Sequence, residues 1–251
     1  MIHVSEKTKR KEKRGEGELE NYKPWIECRE CNSMGTCVLY PDWKHGRTMH
    51  FLSQGEFWAY LILRWQDNVS DIREQFPLDK TATLKIAQAK GIIHPRNVDG
   101  NVTMTTDLLV TFLDKKGHPY LKAYSVKNKR TDVFGEFSEH DVMRTVEKQR
   151  IEMSYWHLHN IPFENVFKDE MNHVLVSNIE LVMQRYKLPR QFTISDLFRF
   201  LVARKYISID MRTSYIQDNM PKFISEHRDA INLFIQKIKT DQPQYVLIGG
   251  D

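Results

Sequence analysis

The residues best equipped for chemistry lie in one stretch, Thr105 to Lys129. Asp107 opens an apolar run through Leu113 that is rich in β-branched residues and reads as a strand over Val102 to Leu113. Tyr120 to Lys127 reads as the returning strand. Strand side chains alternate with period two, so Leu121, Ala123, Ser125 and Lys127 share a face. A lysine beside a small buried residue requires an anionic partner or solvent, and Asp107 on the neighbouring strand can supply the anion. Two readings are open. One is a cross-strand ion pair on an exposed face. The other is phosphodiester cleavage, which needs a carboxylate to hold a hard divalent cation and positive charge where the phosphate gathers negative charge.

Other carboxylates could join them. Ser53-x-x-Glu56 has the spacing of a capping box, in which Glu56 reaches back to the first amides of a helix. Read from spacing alone, Glu56 is a cap before it is anything else. Glu74, within Asp71-Ile72-Arg73-Glu74, is a further candidate.

These residues need elements to hold them. Trp25 to Asp42 reads as irregular strand and loop. Ser53 caps a helix that runs at helical spacing through Phe57, Tyr60, Leu61 and Arg64 to Trp65. Ser70 to Leu78 is a short strand ended by Pro77. Asp79 to Lys90 is a helix stopped by Gly91. Asp114 to Pro119 is a turn, with Gly117 supplying its unusual backbone angle. Ser138 to His159 is a long helix with Ser138 and Asp141 in a capping arrangement, and Asn160 and Pro162 break it. A short strand at Asn165 to Lys168 closes this part. Helical patterns follow at Val174 to Tyr186, Ser195 to Lys205 and Pro221 to Thr240, with a β segment at Tyr206 to Met211. Helices followed by a short hairpin suggest a small, mostly helical, winged-helix-like domain. The expected division is a basic flexible arm at 1–21, a catalytic domain at 22–171 and a C-terminal domain at 172–251.

Bulk properties agree with such a chain. It has 251 residues, 41% hydrophobic and 11% aromatic, enough for a sizeable core, and a net charge of +4 compatible with nucleic acid. Six of the eight residues from Lys7 to Arg14 are basic with nothing apolar between them, which predicts a solvated arm, either solubilising or DNA-contacting. Lys187, Arg190, Arg199, Arg204 and Lys205 form a second basic group, readable as a DNA-phosphate face or as a plain solvated face. No run of about 18 apolar residues exists, so no membrane span is expected, and the N-terminus lacks a signal-peptide core. Three cysteines suit a reducing cytoplasm. Cys28-x-x-Cys31 and Cys37, with His45 and His50 nearby, invite zinc, but the spacing to a fourth ligand fits no common class. Zinc is therefore not expected, and half-buried strand cysteines are. His157 and His159 read as surface residues at a helix end.

Several words of the sequence, in order, resemble the TnsA family, the endonuclease subunits of heteromeric bacterial transposases. The most specific is Asp71-Ile72-Arg73-Glu74-Gln75-Phe76-Pro77-Leu78. Gly46-Arg47, Leu52-Ser53 with Glu56, Gly91-Ile92-Ile93-His94-Pro95, Thr105-Thr106-Asp107-Leu108-Leu109-Val110, Glu147-Lys148, Tyr155-Trp156 and Ile161-Pro162 agree with it. The resemblance runs from about Tyr22 to Asn172. It implies a restriction-endonuclease-like mixed sheet flanked by helices, in a cytoplasmic bacterial protein. It also implies that Glu56, Asp107 and Lys127 are catalytic, with Mg²⁺, replaceable by Mn²⁺, held by Glu56, Asp107 and the Val126 carbonyl. The expected partners are double-stranded transposon-end DNA, a TnsB-type recombinase and a TnsC-type ATPase. The family carries an acid or glutamine two residues before the lysine. Here Ser125 stands there, a shorter and neutral ligand that puts a second metal in question. Rival expectations are a stand-alone restriction-type nuclease and a non-catalytic module that bridges DNA and the ATPase.

Overall fold

The computed structural model describes residues 4–30, 36–131, 140–242 and 244–248, and the chain divides into two compact units, Met1–Met171 and Asn172–Asp251. The centre of the first unit is a four-stranded sheet of β3 (Val69–Pro77), β6 (Thr105–Leu113), β7 (Pro119–Lys127) and β8 (Phe163–Phe167), in that order, while β4 (Arg96–Asn97) and β5 (Gly100–Asn101) pair separately as a small hairpin. β3, β6 and β7 are successively antiparallel, while β8 runs parallel to β7, so the sheet is mixed. The parallel return needs a crossover, and α4 (His140–Leu158) lies on that connection. The capping arrangement expected at Ser138 and Asp141 lies outside the described residues and side chains.

α3 (Lys80–Ala89) and α4 cover the sheet through a core that includes Leu78, Ile86, Met104, Leu109, Ala123, Ile151, Tyr155 and Trp156. α2 (Gln54–Arg64) packs against β3, β6 and β7. Its apolar stripe of Phe57, Tyr60 and Leu61 is buried, and Tyr60 and Phe57 meet the ring of Phe51. Ser53 caps α2 as expected, its hydroxyl accepting the Glu56 N–H at 3.2 Å.

Two expectations for this unit change. Trp25 to Asp42 is not irregular throughout: β1 (Val38–Asp42) pairs with β2 (Arg47–Phe51) as an antiparallel hairpin. Pro41 hides the strand pattern in the sequence. The basic segment is not a free arm over residues 4–21. It forms α1 (Glu6–Lys11), capped by Ser5, and α1 is tied down by ion pairs. Arg14 and Lys9 both pair with Glu30, Lys80 pairs with Glu6, and the Thr103 N–H donates to Glu6. The run lacks apolar residues, but its cations find buried acids that no local pattern announces.

The second unit contains α5 (His173–Met183), α6 (Ile194–Ala203), α7 (Ile216–Glu226) and α8 (Arg228–Asp241). Asn172 caps α5, and Thr193 with Asp196 forms a complete capping box on α6. Pro221 does not start a helix. It lies inside α7, and the pattern from 221 to 240 is broken at His227 into two helices. Tyr206 to Met211 is irregular rather than β, anchored by buried Ile207 and Met211. The strand pairing found instead is parallel, between β9 (Gln191–Phe192) and β10 (Val246–Leu247). No described helix is long and apolar enough to cross a membrane.

Candidate active site

Asp107 stands where the regular ladders of β6 loosen. The β6–β7 pairs stop at Leu108–Tyr124, and the β3–β6 pairs include Glu74–Leu108 and Phe76–Thr106 without the pair between them. Face alternation also breaks here. Thr106 accepts a hydrogen bond from the Trp156 indole at 2.6 Å, while Leu109, an odd number of residues away, shares a core cluster with Trp156. A side chain in such an interruption is freed from the flat face of the sheet.

The Asp107 carboxylate is docked against β7. Its Oδ2 accepts the Val126 N–H at 2.7 Å and lies 3.3 Å from the Ser125 hydroxyl. Lys127 Nζ is 3.8 Å from the same oxygen, and both side chains are 21% exposed. The lysine donates to Ser125 Oγ at 2.6 Å and to the Val126 carbonyl at 3.2 Å. Ser125 thus bridges the two charges.

Glu56 arrives from the first turn of α2. Its carboxylate accepts from Leu52 N–H at 3.0 Å, the Ser53 hydroxyl at 2.9 Å and Gln75 Nε2 at 3.1 Å. The capping role is therefore real, and it coexists with the site. Burial, then the charge of Asp107, raises the Glu56 pKa to about 8 against those three donors. The charge of Asp107 thus opposes the ionisation of Glu56.

A third carboxylate belongs to the cluster and escaped the sequence reading. Glu152 of α4 is buried and accepts from the Thr106 hydroxyl at 2.7 Å. Burial and then Asp107 raise its pKa to about 8, opposed by Lys127, Thr106 and Ser125. A signal was present: Glu152 precedes Tyr155 and Trp156 by three and four residues, which puts it on the buried stripe of its helix. A glutamate on that stripe needs a use. Gln75 escaped a role in the same way. Glu74, the other carboxylate singled out, faces elsewhere and is held by both terminal nitrogens of Arg47, at 2.8 and 2.7 Å.

Among the described residues, no three His, Cys, Asp or Glu side chains form a ready metal-holding group. Cys28 and Cys37 are half-buried but not in strands as expected: Cys28 opens a short 3-10 turn and Cys37 lies just before β1, with their sulfurs near the Val38 and Leu52 carbonyls, and Cys31 lies outside the described residues. His50 accepts from the Cys28 N–H, and His45 pairs with Asp42. His159 stacks on Tyr155 at the end of α4. The five basic residues at 187–205 all lie in the second unit and do not act as one set. Arg199 is held by Asp196 at 2.7 Å, and Arg204 lies over the Tyr186 ring at 4.8 Å. Lys187, Arg190 and Lys205 are exposed. Lys187 and Arg204 line a cleft with Tyr206 and Phe234.

A mixed sheet with helices on its faces, carrying acids and a lysine where the central strands part, is a restriction-endonuclease-like fold. Residues 66–167 match the family described as TnsA-like endonuclease N terminal. The chain is also 37% identical over 172 residues to the Tn7 transposition protein TnsA of Escherichia coli, a match covering 68% of this chain and 59% of that protein. The chain is thus a TnsA-type protein. It matches less than two thirds of the length of that relative.

Proposed function

We propose that this protein is a metal-dependent DNA endonuclease that cuts the 5′ ends of a transposon, acting with a TnsB-type recombinase and a TnsC-type ATPase. The observation that carries the reading is Asp107, docked on the Val126 amide with Lys127 3.8 Å away and in the field of two more carboxylates. The partners are those that the resemblance to the TnsA family implies, and the relative is named for transposition.

The donor set fits Mg²⁺. That ion keeps several waters and takes only one or two protein carboxylates. Asp107 Oδ1 makes no hydrogen bond among the described residues, and Glu56 Oε1 carries a single donor. Those two atoms and the Val126 carbonyl would hold the ion. When bound, it makes water acidic enough to attack phosphorus near neutral pH and offsets charge on the phosphate. Lys127 supplies fixed positive charge beside the reacting phosphate. Glu152 stands near Asp107, held in place by the Thr106 hydroxyl. Ser125 does not replace a carboxylate ligand: its hydroxyl is engaged between Lys127 and Asp107. Lys187, Arg190, Arg204 and Lys205 are offered to DNA phosphates, with Arg199 the least available of the group.

The neutral Ser125 favours one second reading, a non-catalytic module that bridges DNA and the ATPase. Cleavage of a labelled transposon-end duplex with Mg²⁺ and the recombinase subunit separates the two. The expected result is nicking at the 5′ ends that falls by at least about 10²–10³-fold in Asp107→Ala and Lys127→Ala. Silence of the wild type while the partner still cuts its own strand would leave the bridging reading. Cutting without any partner would instead indicate a stand-alone nuclease.

A further inference from the structure

Gln75 combines three unusual properties. It lies within β3 yet has a φ of +48°, in the left-handed region that residues with a Cβ avoid. It is 2% exposed. Both ends of its side chain are engaged: Thr105 donates to Oε1 at 3.0 Å, and Nε2 donates to Glu56 Oε2 at 3.1 Å. Its main-chain carbonyl accepts the Trp25 N–H at 3.2 Å. It lies between the Glu74–Leu108 and Phe76–Thr106 pairs of β3 and β6, at the interruption that also holds Asp107.

The hydrogen bonds of Glu56 give this a meaning. Each carboxylate oxygen has two acceptor positions. On Oε2 both are filled, by Leu52 N–H and Gln75 Nε2–H. On Oε1 only one is filled, by Ser53. The Glu56 carboxylate, which only accepts when ionised, fixes which way the Gln75 amide faces, and the Thr105 hydroxyl then donates to the oxygen on the other side. The left-handed backbone turns Gln75 away from the alternation of its strand, and strain of this kind persists where the surroundings over-determine an orientation.

We infer that Gln75 is a positioning residue, which saturates Oε2 of Glu56 so that Oε1 alone is offered to the divalent cation. The inference rests on the metal-dependent reading above. It differs from a purely structural role in one respect. Asparagine adopts the left-handed region more readily than glutamine but is one methylene shorter. Gln75→Asn therefore keeps the backbone and withdraws the amide from Glu56.

The test is calorimetric titration of Mn²⁺ into the full chain, with thermal melting of the same samples. Gln75→Asn should melt with the wild type and bind Mn²⁺ about 10-fold or more weakly, the range found when a group that orients a metal ligand is removed. Asp107→Ala should abolish the binding. Wild-type affinity in Gln75→Asn together with loss in Asp107→Ala would overturn the role of Gln75 and leave the metal site standing. Wild-type affinity in Asp107→Ala would sink the metal reading itself. If Gln75→Asn does not fold, the wild type decides by NMR. The Gln75 side-chain amide should shift on Mg²⁺ addition and saturate with the calorimetric isotherm. An amide signal that stays fixed while Mg²⁺ binds would refute the proposal.

Discussion

Two groups of buried acids in the first unit meet opposite fates. Asp42 is almost fully buried, with Arg64 and His45 against its carboxylate. Burial pushes its pKa up, but the His45 hydrogen bond and the Arg64 charge outweigh burial, and the value falls to about 2. Glu56 and Glu152 are buried to a similar degree. They have Asp107 as a neighbour, and their pKa values rise to about 8. Desolvation acts on all three, so the difference lies in the sign of the nearest charge. A carboxylate given a dedicated cation is part of the scaffold. Carboxylates set against one another mark a candidate functional site, which is what the proposed metal reading requires.

The sharpest way to break this contrast is to strip the scaffold acids of their cations. Arg47→Ala leaves Glu74 buried and unpaired and should destabilise the chain by about 3–5 kcal/mol, read by denaturant unfolding. A loss under about 1 kcal/mol would mean that the pair is wet, and the contrast would fail.

Acid titration is the next test. Asp42 has a depressed folded pKa. Its stabilisation is complete above the unfolded value near 4 and is lost as pH falls toward about 2. Asp42→Asn should remove a contribution of about 2 kcal/mol at neutral pH, and the gap between variant and wild type should narrow between about pH 4 and 2.

The third effect has the opposite sign. Glu152 has a raised folded pKa, so its contribution is complete below the unfolded value of 4.5 and is lost as pH rises through about 8. Metal-free chain should therefore lose stability between about pH 5 and 8. Glu152→Gln should recover part of that loss at pH 8, and Mg²⁺ should stabilise the wild type more than the variant. A metal-free Glu152→Gln that is less stable than wild type at pH 8 would place Glu152 with the scaffold acids.

Much of this was legible in the sequence because it is local. The hairpin that sets Asp107 beside Lys127 is written in β-branched runs and the Gly117 turn, and Ser53 announces α2 and with it the position of Glu56. What was hidden depends on distance. Glu152 reaches Asp107 across a helix and a strand, and only its place on an apolar stripe hinted at it. Arg14 and Lys9 find Glu30 through a fold that composition does not encode. Gln75 was visible within the most specific word of the chain, but a positive φ in the middle of a strand leaves no mark in spacing. In the second unit the break at His227 carries neither glycine nor a helix-stopping proline after it, so two helices read as one.

The parallel pairing of β8 with β7 also has a meaning in time. Synthesis proceeds from the N-terminus, so Glu56, Asp107 and Lys127 leave the ribosome before Glu152 and before the strand that flanks β7. The sheet edge next to Ser125 and Lys127 stays open until Phe167 has been made. A nascent chain thus holds Glu56, Asp107 and Lys127 without the frame that aligns them, and the proposed centre comes together only when the first unit is whole.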